Sequence, residues 1–156
     1  MKFKETKISD LIIIEPTVFG DNRGYFLESY SQKNFDRVIG KTFFIQDNES
    51  KSSKGVLRGL HFQKPPYDQA KLVRCIDGEV LDVAVDIRKG SSTYGMHVSM
   101  KLSGENKRQL FIPRGFAHGF AVLSETAVFA YKVDNIYAPK YDSGIKYNDK
   151  DLNINW

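Results

Sequence analysis

Only three histidines occur in these 156 residues, and two of them stand in short runs of alternating polarity. His61 lies in Gly55-Val-Leu-Arg-Gly-Leu-His-Phe-Gln63 and His118 in Ile112-Pro-Arg-Gly-Phe-Ala-His-Gly-Phe120. Alternation of this kind puts each histidine on a strand whose two faces see different environments. A histidine on the inner face of a β-structure is a candidate metal ligand or general base, because neutral imidazole coordinates divalent ions and titrates near neutral pH. Arg58, Lys71 and Arg74 sit at strand positions too. Each either brings charge to a cavity for an anionic ligand or forms an ion pair at the surface.

Counting ligands separates the two uses of histidine. The run Pro113-x-Gly115-x-x-His118 resembles part of the second signature of the cupins, a jelly-roll superfamily. Metal-binding cupins combine it with a His-x-His pair and a glutamate a few residues on, since a divalent metal needs three or four converging ligands. Here the pair reads His61-Phe-Gln63, and Pro65-Pro-Tyr-Asp68 supplies no matching glutamate. The expectation is no protein-bound metal, Gln63 and a distant carboxylate being the one way to complete a set. His97 has no polar constellation around it and reads as structural or exposed. A metal-free polar cavity suits proton transfer, which makes His61 the candidate base. On a regular strand, however, Arg58 and His61 face opposite ways. Both reach one cavity only if Gly59 bulges, so a joint site for the two implies a ladder irregularity near Gly59.

The elements that would carry these residues are strands. Strand signals recur at Leu11–Glu15, Tyr25–Tyr30, Thr42–Gln46, Val56–Gln63, Leu72–Ile76, Glu79–Ile87, His97–Leu102, Gln109–Ile112, Ala117–Leu123 and Thr126–Val133. Asp77-Gly78 reads as a type I′ hairpin turn. In the run that follows, Leu81, Val83, Val85 and Ile87 share a face expected to pack on the core, with Asp82 and Asp86 on the polar one. One short peripheral helix is expected, with Ser31 as cap, Phe35, Val38 and Ile39 on one face and Gly40 as terminator. Many short strands and almost no helix predict an all-β sandwich or jelly roll.

Composition sets the outer limits. The length suits one domain spanning 1–156, and 41% hydrophobic with 27% charged residues is a globular composition. The longest aliphatic run is Leu11 to Ile14, far short of a membrane span or a secretory signal, so a cytoplasmic protein without membrane attachment is expected. The net charge of +4 is dispersed rather than gathered into an arm, which argues for a small phosphorylated ligand over nucleic acid. The lone Cys75 falls mid-strand and reads as a buried hydrophobe.

Several long motifs, in order, closely resemble the dTDP-4-dehydrorhamnose 3,5-epimerase family. They are Val18-Phe-Gly-Asp-Asn-Arg-Gly-Tyr-Phe26, Phe44-Ile-Gln-Asp-Asn48, Val56-Leu-Arg-Gly-Leu-His-Phe-Gln63, Lys71-Leu-Val-Arg74, Asp82-Val-Ala-Val-Asp-Ile-Arg88 and Asn106-Lys-Arg-Gln-Leu-Phe-Ile-Pro-Arg-Gly-Phe-Ala-His-Gly-Phe120. The resemblance implies a metal-free, cofactor-free cupin-like jelly roll that forms a homodimer. It implies epimerisation at carbons 3 and 5 of a dTDP-linked 4-keto-6-deoxyhexose, on a route to dTDP-rhamnose and cell-surface polysaccharide. His61 then resembles the base, Tyr131 the acid and Lys71 the cation at the enolate oxygen, while His118 binds the sugar or supports the same charge. Without the resemblance, Tyr131 would read as a core aromatic. Arg23, Glu28, Gln46, Asp47, Asn48 and Arg58 resemble positions that hold the nucleotide, with Arg23 and Glu28 completing a neighbouring subunit's site. Tyr137 resembles an aromatic packed near the base.

Two departures qualify the likeness. Asp142 stands where the family usually has glutamate. Family members also commonly continue beyond the position of Trp156, with an acid there that orients the base and a nearby lysine for the nucleotide. Another acid is then expected to orient His61, and Asp82 and Asp86 are the candidates. The competing readings are an epimerase acting at carbon 3 alone, a non-catalytic nucleotide-sugar binder, and a metal cupin oxygenase, the last disfavoured by the missing His-x-His.

Overall fold

The structure, a computed structural model, describes residues 1–156. Its strands are β1 (Lys2–Glu5), β2 (Ile12–Glu15), β3 (Val18–Asp21), β4 (Gly24–Leu27), β5 (Gln46–Ser53), β6 (Leu57–Gln63), β7 (Lys71–Asp77), β8 (Glu79–Asp86), β9 (His97–Ser103), β10 (Gln109–Ile112), β11 (Phe116–Val122), β12 (Thr126–Val133) and β13 (Asp142–Gly144). One helix, α1 (Gln32–Val38), and a 3-10 turn at Pro139–Tyr141 complete the set. The strands pair antiparallel in a six-stranded sheet, β1-β2-β10-β7-β12-β5, a five-stranded sheet, β13-β6-β11-β8-β9, and a separate β3–β4 hairpin. This is the all-β, cupin-like jelly roll. No helix is long and apolar enough to cross a membrane.

Alternation along each strand divides the apolar residues among three layers. Val73, Cys75, Leu110 and Phe129 from the six-stranded sheet meet Val80, Ala84, Leu102 and Phe120 from the five-stranded one between the sheets. On the outer face of the six-stranded sheet, Phe35 of α1 covers Ile14, Leu72 and Phe111. On the outer face of the other, Leu152, Ile154 and Trp156 cover Leu60, Val83 and Val85. Burial of both faces reverses the reading of β8. Asp82 and Asp86 lie fully buried on the same side as the core residues Val80 and Ala84, and the Val83 and Val85 side packs under the C-terminal segment. Period two identifies two faces but does not say which one meets the other sheet. Burial opposes the charge on Asp86, yet hydrogen bonds from Arg88, Thr93 and Ser91 outweigh it and hold its carboxyl well below the usual range.

Other local expectations change for identifiable reasons. Asp77-Gly78 joins strands of different sheets, so it is no hairpin, and only Gly78 of the pair has a positive φ, +76°. A Cβ on Gly78 would lie 2.1 Å from the Thr126 carbonyl oxygen. The strand expected at Thr42–Gln46 begins only at Gln46; β5 is polar yet pairs along its whole length with β12. Ser31 occupies the N-cap of α1 without a side-chain cap bond, and Val38 is 47% exposed. Cys75 is buried as expected, and burial pushes its thiol up to about 11.

The irregularity expected at Gly59 is present. His61 pairs with His118 and Arg58 with Phe120, so β6 carries one more residue than β11 between the same pairs. Gly59 has φ +132°, and a Cβ on it would lie 2.5 Å from the Gly119 Cα. Gly59→Ala is expected to cost about 3 kcal/mol or more, from overpacking against backbone together with an unfavourable φ. Chemical denaturation measures this, and an unchanged midpoint would show that the bulge tolerates a side chain.

Candidate active site

A cavity of about 520 Å³ opens between the two sheets, with Phe120 and Phe129 forming an apolar wall. Arg58, His61, Lys71, His118, Tyr131, Tyr137 and Asp142 line it. The Gly59 bulge turns Arg58 and His61 to the same side. His61 and His118 are cross-strand partners on β6 and β11 of the five-stranded sheet. Lys71 opens β7, and Tyr131 on β12 pairs with Val73, two residues along. An imidazole pair on one sheet therefore faces an amine and a phenol on the other.

His118 is buried, with Nε2 2.8 Å from Asp82 Oδ2. Its ring is near-parallel to Phe129 at 6.1 Å, and Phe129 stacks on Phe120 at 4.2 Å. A carboxylate partner makes Nε2 the protonated nitrogen and leaves Nδ1 as the acceptor in the neutral ring. Oδ1 of Asp82 is buried without a hydrogen-bond partner. His61 is exposed to the cavity and makes no bond to either expected acid. Asp82 is engaged by His118, and Asp86 by Arg88, Ser91 and Thr93. Both acids lie on β8, which pairs with the strand of His118, while β6 lies one strand further away.

Burial lowers the pKa of Lys71, opposed by the negative charges of Asp82 and Asp142. Burial raises that of Tyr131, opposed by the nearby Arg58 guanidinium. The phenol is thereby kept protonated and ready to donate, while at Lys71 the two carboxylates work against burial to favour the charged amine, whose field on a developing oxyanion is strong in a poorly solvated site. Arg58 Nε donates to Ser52 Oγ at 3.0 Å, and Tyr137 Oη donates to Asp142 Oδ2 at 3.4 Å.

The remaining expected site residues lie elsewhere in this chain. Gln46 Nε2 donates to Asn48 Oδ1 at 2.8 Å, and Lys132 Nζ donates to Asp47 Oδ1 at 2.8 Å. Asp47 and Asn48 line a second cavity, of about 390 Å³, which also touches Tyr131. Arg23 pairs with Asp21 in the β3–β4 hairpin, and Glu28 accepts a bond from Asn34 Nδ2 at 3.3 Å. Sequence reasoning missed Ser52, Phe120 and Phe129 as site residues. A serine on a polar strand and aromatics in alternating runs carry no mark that separates them from ordinary surface and core.

The arrangement can hold a ring between the sheets, take a proton from one face and return one to the other, with an ammonium at the oxygen between. The model of the dTDP-4-dehydrorhamnose 3,5-epimerase family matches residues 5–156. The dTDP-4-dehydrorhamnose 3,5-epimerase of Shigella flexneri is 59% identical over 157 residues, covering 100% of this chain and 87% of that protein. The crystal structure of dTDP-4-dehydrorhamnose 3,5-epimerase from Elizabethkingia anophelis superposes with a TM-score of 0.96 at 57% identity, covering 100% of this chain and 86% of that one. The dTDP-6-deoxy-D-glucose-3,5-epimerase of Legionella pneumophila, in complex with dTDP-4-keto-L-rhamnose, gives 0.96 at 52% identity, covering 99% and 82%. Likeness over nearly the whole length, in sequence and in backbone, leads to one conclusion: the chain belongs to the dTDP-4-dehydrorhamnose 3,5-epimerase family.

Proposed function

We propose that the protein inverts carbons 3 and 5 of a dTDP-linked 4-keto-6-deoxyhexose, with His61 as base, Tyr131 as acid and Lys71 as the cation at the carbonyl oxygen. The observation that carries this reading is the placement of His61 and Tyr131 on opposite sheets across one cavity. Both carbons flank the ketone, so loss of either proton gives an enolate on the same oxygen, which Lys71 stabilises. Reprotonation from the Tyr131 side inverts the centre. Proton removal and return leave the oxidation state unchanged, so the reading calls for no cofactor. His118, held by Asp82, offers Nδ1 to the sugar. Arg58 suits the diphosphate because guanidinium presents directed donors in a planar fork.

Arg23 and Glu28 act in this reading from a second copy of the chain, and Gln46, Asp47 and Asn48 bind the nucleotide at the rim of the sheet. Supporting this, the hairpin that carries Arg23 also exposes Phe19, Tyr25 and Phe26 at 62%, 59% and 69%, a surface suited to burial against a partner.

Incubation with dTDP-4-keto-6-deoxyglucose in heavy water, followed by NMR, is expected to show deuterium at carbons 3 and 5. Exchange at carbon 3 alone would support the restricted epimerase. His61→Asn is expected to lower exchange about a hundredfold or more while leaving dTDP binding nearly intact; full activity would remove His61 from the mechanism. Asp82→Asn removes one of the two negative charges that raise the Lys71 pKa against the effect of burial. The ammonium then loses its proton at lower pH, and the alkaline limb of kcat/KM is expected to move down; an unmoved limb would separate Asp82 from Lys71. Phe26→Asp is expected to shift light scattering from dimer to monomer and to weaken dTDP binding about tenfold or more. A monomer with full affinity would refute the shared site.

A further inference from the structure

Gln63 stands where a metal-binding cupin has the second histidine of its His-x-His pair, and its amide is fully occupied by backbone. Its Nε2 donates to the carbonyl oxygens of Tyr67 at 2.7 Å and Ile136 at 3.0 Å, and its Oε1 accepts from the Ala138 N–H at 2.6 Å. The residue is 7% exposed. Two donors and one acceptor meet two carbonyls and one N–H, a match that a glutamate or a histidine cannot make.

The residues it holds on one side are the two chain neighbours of Tyr137. Ile136 and Tyr137 are 53% and 57% exposed, and the only hydrogen bond of the Tyr137 side chain is the 3.4 Å one to Asp142. Asn135 is tied to the same loop as Tyr67, its Nδ2 donating to the Pro66 carbonyl at 3.0 Å and its own carbonyl accepting from Gln69 Nε2 at 2.7 Å. Asp142, which follows the 3-10 turn, pairs with Gln63 itself across β6 and β13. Tyr137 nevertheless lines the cavity. Its backbone is thus anchored through both chain neighbours, while the half-exposed residue itself lines the cavity.

We propose that Gln63 is a positioning residue that holds Tyr137 over the cavity mouth and so sets the affinity for the nucleotide end of the ligand. The inference rests on the reading of the cavity as a dTDP-sugar site, with Tyr137 in contact with the bound nucleotide. Removing the amide leaves two carbonyls and an N–H without partners, which the segment relieves by turning them to water and releasing Tyr137.

Calorimetric titration with dTDP tests it in the wild type, Gln63→Met, Tyr137→Ala and the double variant. Gln63→Met is expected to weaken binding about tenfold in the wild-type background and to cost nothing further once Tyr137 is alanine. Amide hydrogen exchange over 134–141 is expected to speed up in Gln63→Met. Gln63→Glu, which keeps the size and the bond to the Ala138 N–H, is expected to show the same coupling and serves if the first variant folds poorly. Equal losses in both backgrounds, or none in either, would overturn the inference, the former marking Gln63 as a structural residue alone. Failure of the wild type to bind dTDP would instead sink the nucleotide reading and this inference with it.

Discussion

A strand turns successive side chains to opposite faces, so Arg58 and His61, three positions apart, belong on different sides of a regular β6. One extra residue in β6 relative to β11 cancels that parity and brings both to the cavity. The close approach of Gly59 to Gly119 is what allows it: two backbones meet where neither residue has a Cβ. The site depends on this irregularity more than on any single hydrogen bond. Without it, the cation suited to a diphosphate and the imidazole suited to a carbon acid would lie on opposite sides of the sheet.

The second organising element is the charge of Asp82. It is fully buried, holds His118 through one oxygen, and influences Lys71 across the cavity while its other oxygen has no partner. A buried carboxylate with an unfilled acceptor is costly in isolation. Placed beside His118 and near Lys71, it fixes the donor end of the imidazole and opposes the effect of burial on the amine. The division of labour between the sheets follows: the five-stranded sheet carries both imidazoles and the acid that holds His118, and the six-stranded sheet carries the amine and the phenol.

Much of this was legible in the sequence. Alternation marked most strands closely enough to place His61, Lys71, His118 and Tyr131 on β-structure, and the parity of Arg58 and His61 forced the expectation of a bulge at Gly59. Other features were hidden for definite reasons. Nothing local tells which acid meets which histidine, because that depends on strand order, and β11 lies between β6 and β8. The turn at Gly78 has the composition of a hairpin but passes from one sheet to the other, a choice made by the whole fold. The inward direction of Asp82 was obscured because both faces of β8 are covered. The role proposed for Tyr131 came from resemblance alone, since a tyrosine in an apolar run is ordinarily core.

The polarity of β5 has a consequence for the protein's behaviour at high concentration. The strand closes one edge of the six-stranded sheet, and along that edge its outward N–H and C=O groups have no strand to meet. Such an edge is a template for strand addition by another molecule. Gln46–Ser53 meets it with a sequence that has no apolar side chain and includes Asp47, Glu49 and Lys51. An incoming strand would gain backbone bonds but little desolvated surface, and would have to bring charge against charge. The polar residues that made β5 hard to recognise as a strand make this edge of the single chain a poor template for unspecific strand addition.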